Sequence, residues 1–254
     1  MHRRQLLTAF AGLALCPACA SVALAAENHA HWTYEGPSGP DKWGDLEAAD
    51  QVCSIGDQQS PVDITGAISA HQPPLKISWT KRPDTIVNNG HTIQLSFSAG
   101  DTLHVGDRKY VLTQFHFHHP SEHLVDGKRF AMEGHFVHSA EDDSLAVVGV
   151  FIVPGKANPV FHKIASTMPE EEGPAVAADP AIDPNRLLPA QRTFYHYEGS
   201  LTTPPCNQTV DWLVLTHHIE AAEADIARFA KLYPMNARPV QKLDRRFILS
   251  SSPR

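Results

Sequence analysis

Two alternating runs constrain this chain most. In QFHFHHPSEH (114–123) histidine and phenylalanine alternate before a proline-marked bend. Successive side chains of a β-strand point to opposite faces, so Gln114, His116 and His118 share one face, and Phe115 and Phe117 share the other. The pattern predicts a strand with phenylalanines in the core and imidazoles in a cleft. RFAMEGHFVH (129–138) repeats the design, with Glu133, His135 and Val137 on one face. Asp126-Gly127 between the runs is a turn dipeptide, so the two strands are expected to be antiparallel neighbours with His135 beside His116 and His118. His119 and His138 fall on the opposite parity. His123 follows Glu122 after the bend, where structural hydrogen bonding is its expected role.

Further strand-like runs are LKISW (75–79), TIQLSF (92–97), LAVVGVFIV (145–153) and TVDWLVLT (209–216). Leu145 to Val153 is apolar at nearly every position, as in a central strand covered on both faces. Helical patterns are few. Asn158-Pro159 is a capping residue followed by proline in the first turn, with Val160, Phe161 and Ile164 at helical spacing. A second helix is expected over 221–232, with Ile226, Phe229 and Ala230 as its buried stripe. The proline-rich patches at 72–74 and 170–184 read as surface loops. The expected class is therefore mainly β (α+β), one domain with short peripheral helices.

Residues 1–25 combine a basic start, an uncharged apolar middle and small residues at Ala23-Leu24-Ala25. That is the pattern of a secretory signal peptide, with cleavage near 25/26 and one mature domain over 26–254. Arg3 and Arg4 leave the twin-arginine route open beside ordinary secretion. Neither Cys16 nor Cys19 has the context of a lipidated cysteine, and no later segment approaches the ~20 apolar residues of a membrane-spanning helix. The product is expected in the periplasm or the medium. Removing Arg3 and Arg4 from 21 basic residues leaves 19 against 28 acidic, a net charge of −9 with histidines neutral. Such a surface repels the phosphates of nucleic acid. Cys53 and Cys206 survive processing, and an oxidising compartment favours a disulfide between them. A zinc site is the alternative, poorly served by two distant cysteines without a close pair.

His116, His118 and His135 would form a cluster of three neutral imidazoles, a donor set that suits Zn2+ with one open position for water. Metal-bound imidazoles need a partner for the second nitrogen. Gln114 and Glu133 lie two residues before His116 and His135, on the same faces, where such partners would sit. His29 and His31 lie near the mature N-terminus without a defined geometry.

QFHFHHPSEH together with AMEGHFVH resembles the α-class carbonic anhydrases. The match continues through QSPVDI (59–64), VNNGHTIQ (87–94), LAVVGVF (145–151), YHYEGSLTTPPC (195–206), VDWLVL (210–215) and NARPVQ (236–241). The resemblance implies one domain around a large, twisted, mostly antiparallel sheet with a conical cleft, one zinc per chain, and reversible hydration of carbon dioxide to bicarbonate and a proton. It makes His116, His118 and His135 the zinc ligands. Thr202 matches the threonine that accepts a hydrogen bond from the hydroxide on zinc, and Glu122 the glutamate that takes that threonine's proton. Val137, Val147, Leu201, Thr203, Val210 and Trp212 match the substrate pocket, although plain core packing fits each apolar one as well.

His91 matches the family's proton shuttle, and Tyr34, Asn89 and Gln94 match residues that order the intervening water. Taken alone, a histidine after Asn-Asn-Gly reads as a surface turn residue. Strict alternation would set His91 and Gln94 on opposite faces, so both reach the cleft only if the strand begins or bends near Gly90. Cys53 and Cys206 fit the disulfide of secreted members, which would brace the loop carrying Thr202. His119 stands where better-known animal members have an aromatic residue. Two other classes are weighed: a non-catalytic carbonic-anhydrase-like zinc-binding protein, whose kind typically lacks a ligand histidine, and a metal-storage protein binding several ions. Monomer and homodimer both remain open.

Overall fold

The alternating runs lie side by side in a 13-stranded sheet in the computed structural model, which describes residues 31–251. The expected signal peptide and His29 lie outside the described residues. Across the sheet the order is Val176–Ala177, Thr85–Asn88, Ile93–Ser96, Arg108–His118, Met132–Ser139, Leu145–Pro154, Val210–Leu215, Phe194–Gly199, Leu249–Ser251 and Ile68–Ala70. Most pairs are antiparallel. Leu145–Pro154 runs parallel to Val210–Leu215 and Ile219–Ala221, and Leu249–Ser251 runs parallel to Ile68–Ala70. The expected mainly β domain is present.

Side-chain parity divides the core into two layers. Phe115, Phe117, Phe136, Val148 and Leu213 belong to one buried cluster, which two helices cover. Val137, Val147, Val210, Trp212 and Val214 belong to the cluster on the other face. The helix Pro159–Thr167 starts as its sequence predicts: the Asn158 side-chain oxygen accepts the N–H of Val160 at 2.9 Å and of Phe161 at 3.1 Å. Phe161 and Phe229 meet Phe117 edge-on, at centroid distances of 5.4 and 5.8 Å. Phe117 of QFHFH thus anchors the sheet to both helices, with Phe115 packed beside it, while the imidazoles face the other way. Leu145–Pro154 is buried at Ala146 through Ile152, as its continuous apolar run requires.

Three local expectations are corrected. Asp126-Gly127 does form a tight turn, with φ of 49° and 74°, but it joins Leu124–Val125 to Lys128–Arg129 in a separate three-stranded sheet with Asp63–Ile64. The ligand strands Arg108–His118 and Met132–Ser139 are antiparallel neighbours all the same, joined through that excursion. The second strand consequently begins at Met132, because Lys128 and Arg129 pair elsewhere. The second helix spans Glu223–Leu232: Ala221 is held in a strand against Pro154, and Ala230 is only half-buried. Val176–Ala177, inside the expected 170–184 loop, adds a short edge strand.

Candidate metal centre

Register assembles the site. Gln94, His116, His135 and Gly149 stand in one row across four adjacent strands, and Gln114, Val137, Val147 and Trp212 in the next. His118 lies opposite Glu133. The rings of His116, His118 and His135 have centroid separations of 5.0, 5.3 and 4.6 Å, and their candidate ligand atoms lie within 4.8 Å of one another. Gly149 belongs in that row because a Cβ there would come 3.1 Å from the Glu133 carboxylate.

Each imidazole commits one nitrogen to an oxygen acceptor. His116 Nδ1 donates to Gln114 Oε1 at 2.7 Å, and His135 Nε2 to Glu133 Oε1 at 2.8 Å, the two partners that spacing anticipates. His118 Nδ1 donates to the main-chain oxygen of Asn236 at 2.7 Å. Sequence reasoning missed this third partner, since a backbone carbonyl carries no side-chain signature. A ring that donates from one nitrogen offers a lone pair on the other. His118 Nε2 is buried without a hydrogen-bond partner among the described residues, an unmet demand that a metal ion would satisfy.

The electrostatics suit neutral ligands. Burial lowers all three imidazoles, His116 well below its ordinary value, helped by its histidine neighbours, and His118 to about 4. They are therefore uncharged near pH 7. Glu133 accepts four bonds: the N–H groups of Glu122 and His123 at 3.0 and 2.9 Å, and the rings of His123 and His135 at 2.8 Å each. Burial would raise its carboxyl, but His123 and His135 outweigh that and hold it well below the usual range. His123, Glu133 and His135 are thus a hydrogen-bonded chain, and His123 passes it on to the Tyr197 hydroxyl at 2.6 Å. The structural role expected of His123 is met. His119 turns away to the Pro234 carbonyl, and His138 to that of Ala146.

Glu122 is fully buried beneath the imidazoles. Its Oε1 accepts the Arg238 main-chain N–H at 2.8 Å, and its Oε2 lies 3.4 Å from His118 Nε2. Burial pushes the carboxyl up to about 7, opposed by His135, by the nearby Thr202 hydroxyl and by the Arg238 N–H. A dication held by the histidines would favour the carboxylate form. Thr202 is itself buried, Thr203 and Leu201 are half-buried, and the Leu201 N–H to Asn207 carbonyl bond at 3.0 Å closes their loop. Val137, Val147, Val210 and Trp212, with Leu201 against them, form an apolar cluster on the imidazole face. Cys53 and Cys206 are bonded, tying the end of the Thr202 loop to the segment before Gln59.

His91 sits in the turn between Thr85–Asn88 and Ile93–Ser96, where Gly90 has φ +83°; the strand begins at Ile93, so alternation does not govern His91. Asn89 Oδ1 accepts the N–H of His91 at 3.0 Å and of Thr92 at 2.9 Å, so this side chain also builds the turn. Trp32 stacks on the His91 ring with centroids 3.7 Å apart and an interplanar angle of 9°, a contact with no sequence signal. Burial lowers the His91 pKa, His31 adds to the effect and Glu172 opposes it. Tyr34 packs edge-on against Trp32 and Trp43, and burial followed by the nearby Glu122 holds its hydroxyl well above the ordinary value.

Comparison with known proteins points the same way. A family profile described as eukaryotic-type carbonic anhydrase matches residues 38–252. A carbonic anhydrase of Neisseria gonorrhoeae is 41% identical over 237 residues, covering 91% of this chain and 93% of that protein. One of Nostoc sp. is 38% identical over 266 residues, covering 99% and 98%. Among solved structures, the α-carbonic anhydrase of Thermovibrio ammonificans with the inhibitor sulfanilamide superposes with a TM-score of 0.85 at 41% identity, over 87% of this chain and 99% of that one. With three convergent imidazoles on central strands of this sheet, the chain belongs to the eukaryotic-type, or α-class, carbonic anhydrase family and hydrates carbon dioxide to bicarbonate and a proton.

Proposed function

We propose that His116, His118 and His135 hold one Zn2+ per chain and that Thr202, Glu122 and His91 divide the remaining work of hydration. The observation that carries this reading is the set of three neutral imidazoles, each with one nitrogen bonded to an oxygen acceptor. Zinc on three uncharged ligands keeps its full double charge and supplies water with a pKa of about 7, the reference value for carbonic anhydrases themselves.

The chain's residues then orient and deliver. A hydroxyl has one proton, so Thr202 donating to Glu122 leaves its Oγ an acceptor, which aims the nucleophile's free lone pair at substrate. Val137, Val147, Leu201, Val210 and Trp212, edged by Thr203, offer carbon dioxide an apolar wall. His91 carries the released proton outward at its ring nitrogens, with Tyr34, Asn89 and Gln94 ordering water along the way. The Cys53–Cys206 bond and the bacterial relatives support an exported enzyme, with residues 1–25 as its signal and the periplasm or medium as its place. It acts there as a monomer or homodimer.

The test is stopped-flow carbon dioxide hydration paired with metal analysis, on the mature protein and on His118→Ala. Wild type is expected to carry one zinc and the variant to lose both metal and activity, with zinc affinity down by more than about a hundred-fold. Hydration retained by His118→Ala would sink the ligand assignment.

A further inference from the structure

Asn236 is wholly buried in the segment after the second helix, and all of its polar atoms are engaged. Its side-chain nitrogen donates to the carbonyl of His91 at 2.9 Å and to that of Phe117 at 3.0 Å. Its side-chain oxygen accepts the His119 N–H at 2.7 Å. Its main-chain carbonyl receives His118 Nδ1, and its N–H donates to the His119 carbonyl at 3.0 Å. The amide orientation follows from these partners, because the reverse would set an oxygen against two carbonyls and an NH2 against an N–H.

The turn bearing His91 is shaped partly from within and is held from outside at Asn88 and Thr92 by the Tyr233 hydroxyl, and at Asn88 by the backbone of Pro169 and Gly173. Asn88 Oδ1 accepts the Gly90 N–H, and Asn89 Oδ1 those of His91 and Thr92. Such bonds set the turn's form but not its position over the metal. Position comes from bonds that cross to the ligand strand. Thr92 Oγ1 donates to the Phe117 carbonyl at 2.6 Å, which fixes the strand after the turn. Asn236 alone among the described residues donates to the His91 carbonyl and also grips the backbone on both sides of His118.

We propose that Asn236 is a positioning residue for proton transfer, its side-chain NH2 setting the distance between the His91 turn and the metal ligands. The inference rests on the reading of His91 as the proton carrier. Aspartate has the same shape and keeps the acceptor for His119, but it replaces the two donated bonds by an oxygen facing two carbonyls. Asn236→Asp therefore loosens the turn from the ligand strand while leaving the main-chain partner of His118 in place.

The experiment measures steady-state hydration per bound zinc for wild type, Asn236→Asp, Asn236→Ala, His91→Ala and the double variant His91→Ala with Asn236→Asp, in weak buffer and with added imidazole. The ratio kcat/KM reports carbon dioxide conversion, and kcat in weak buffer reports proton removal. For Asn236→Asp, kcat is expected to fall about ten-fold in weak buffer with kcat/KM within about three-fold of wild type, the size of effect a misplacement near 1 Å allows. Imidazole should restore most of the loss, and the double variant should be no slower than His91→Ala. If His91→Ala shows no deficit that imidazole rescues, the shuttle reading itself falls. If His91→Ala shows one and neither Asn236 variant does, the positioning role alone is overturned. Outright zinc loss in both Asn236 variants, or equal falls in kcat and kcat/KM, also overturns it, since the side chain would then serve the ligand strand as a whole.

Discussion

His138 shows how much one residue's face decides. It lies three positions after His135 on the opposite parity, so it points into the helix-side core, stacked near Trp79 and donating from Nδ1 to the Ala146 carbonyl at 3.1 Å. Its Nε2 is buried without a hydrogen-bond partner among the described residues, and burial lowers its pKa to about 4. The unfolded chain, with a histidine pKa near 6.5, binds a proton that the folded chain refuses. Stability from this group is thus complete above about pH 6.5 and is lost as pH falls toward 4, by up to about 1.4 kcal/mol per pH unit. His138→Phe is expected to be less stable than wild type at pH 7.5, where the bond to Ala146 is missed. By pH 4.5 wild type should have lost about 2 to 3 kcal/mol more than the variant. Urea unfolding of both proteins at the two pH values measures this, and parallel losses would place the acid sensitivity elsewhere. The three cleft histidines differ from His138 only in parity and in what their second nitrogen meets.

At the scale of elements, the two ligand strands explain a glycine that looks incidental in AMEGHFVH. A Cβ on Gly134 would lie 2.8 Å from Cε2 of Phe115, whose ring stacks on Phe136 at 4.0 Å. The glycine is required by the phenylalanine layer rather than by backbone conformation. Gly134→Val should cost about 1 to 3 kcal/mol through overpacking, read as a lower urea midpoint at unchanged slope. An unchanged midpoint would mean that Phe115 can move aside. Alternation, the Asn158 cap and the buried run 145–153 were legible because each is local. The Asp126-Gly127 turn was legible as a turn, yet not as to which strands it joins, because the pairing of Leu124–Val125 with Asp63–Ile64 is long-range. That excursion has a consequence for the site: it brings Glu122 and His123 back to the carboxylate of Glu133.

Across the whole molecule, a few long-range ties hold the cleft. The disulfide closes a loop between positions 153 residues apart. Arg238 donates to the Cys53 and Ser60 carbonyls and to Gln59, while its main-chain N–H holds Glu122. The Thr202 loop, the N-terminal turns and the buried glutamate are therefore one connected unit. Chain-entropy reasoning values a cross-link of this span at about 4 to 5 kcal/mol. Cys53→Ser with Cys206→Ser should lower Tm by on the order of 10 °C, measured by thermal unfolding of the zinc-loaded protein. An unchanged Tm would show that the Arg238 bonds suffice.

Legible in the sequence were which side chains share a face, which histidines can converge, the partners Gln114 and Glu133, the Asn158 helix start and the pairing of Cys53 with Cys206. All of these follow from periodicity, spacing or composition, which are properties of the chain taken locally. It took the tertiary fold to set His118 against the carbonyl of Asn236, Trp32 over His91, and one buried amide between the His91 turn and the strand of His116 and His118. The physical reason is that every residue has a carbonyl and an N–H, so nothing in the local pattern marks which of them will meet a given ring. That choice is made by the register of distant strands and by where loops such as 233–241 close over them.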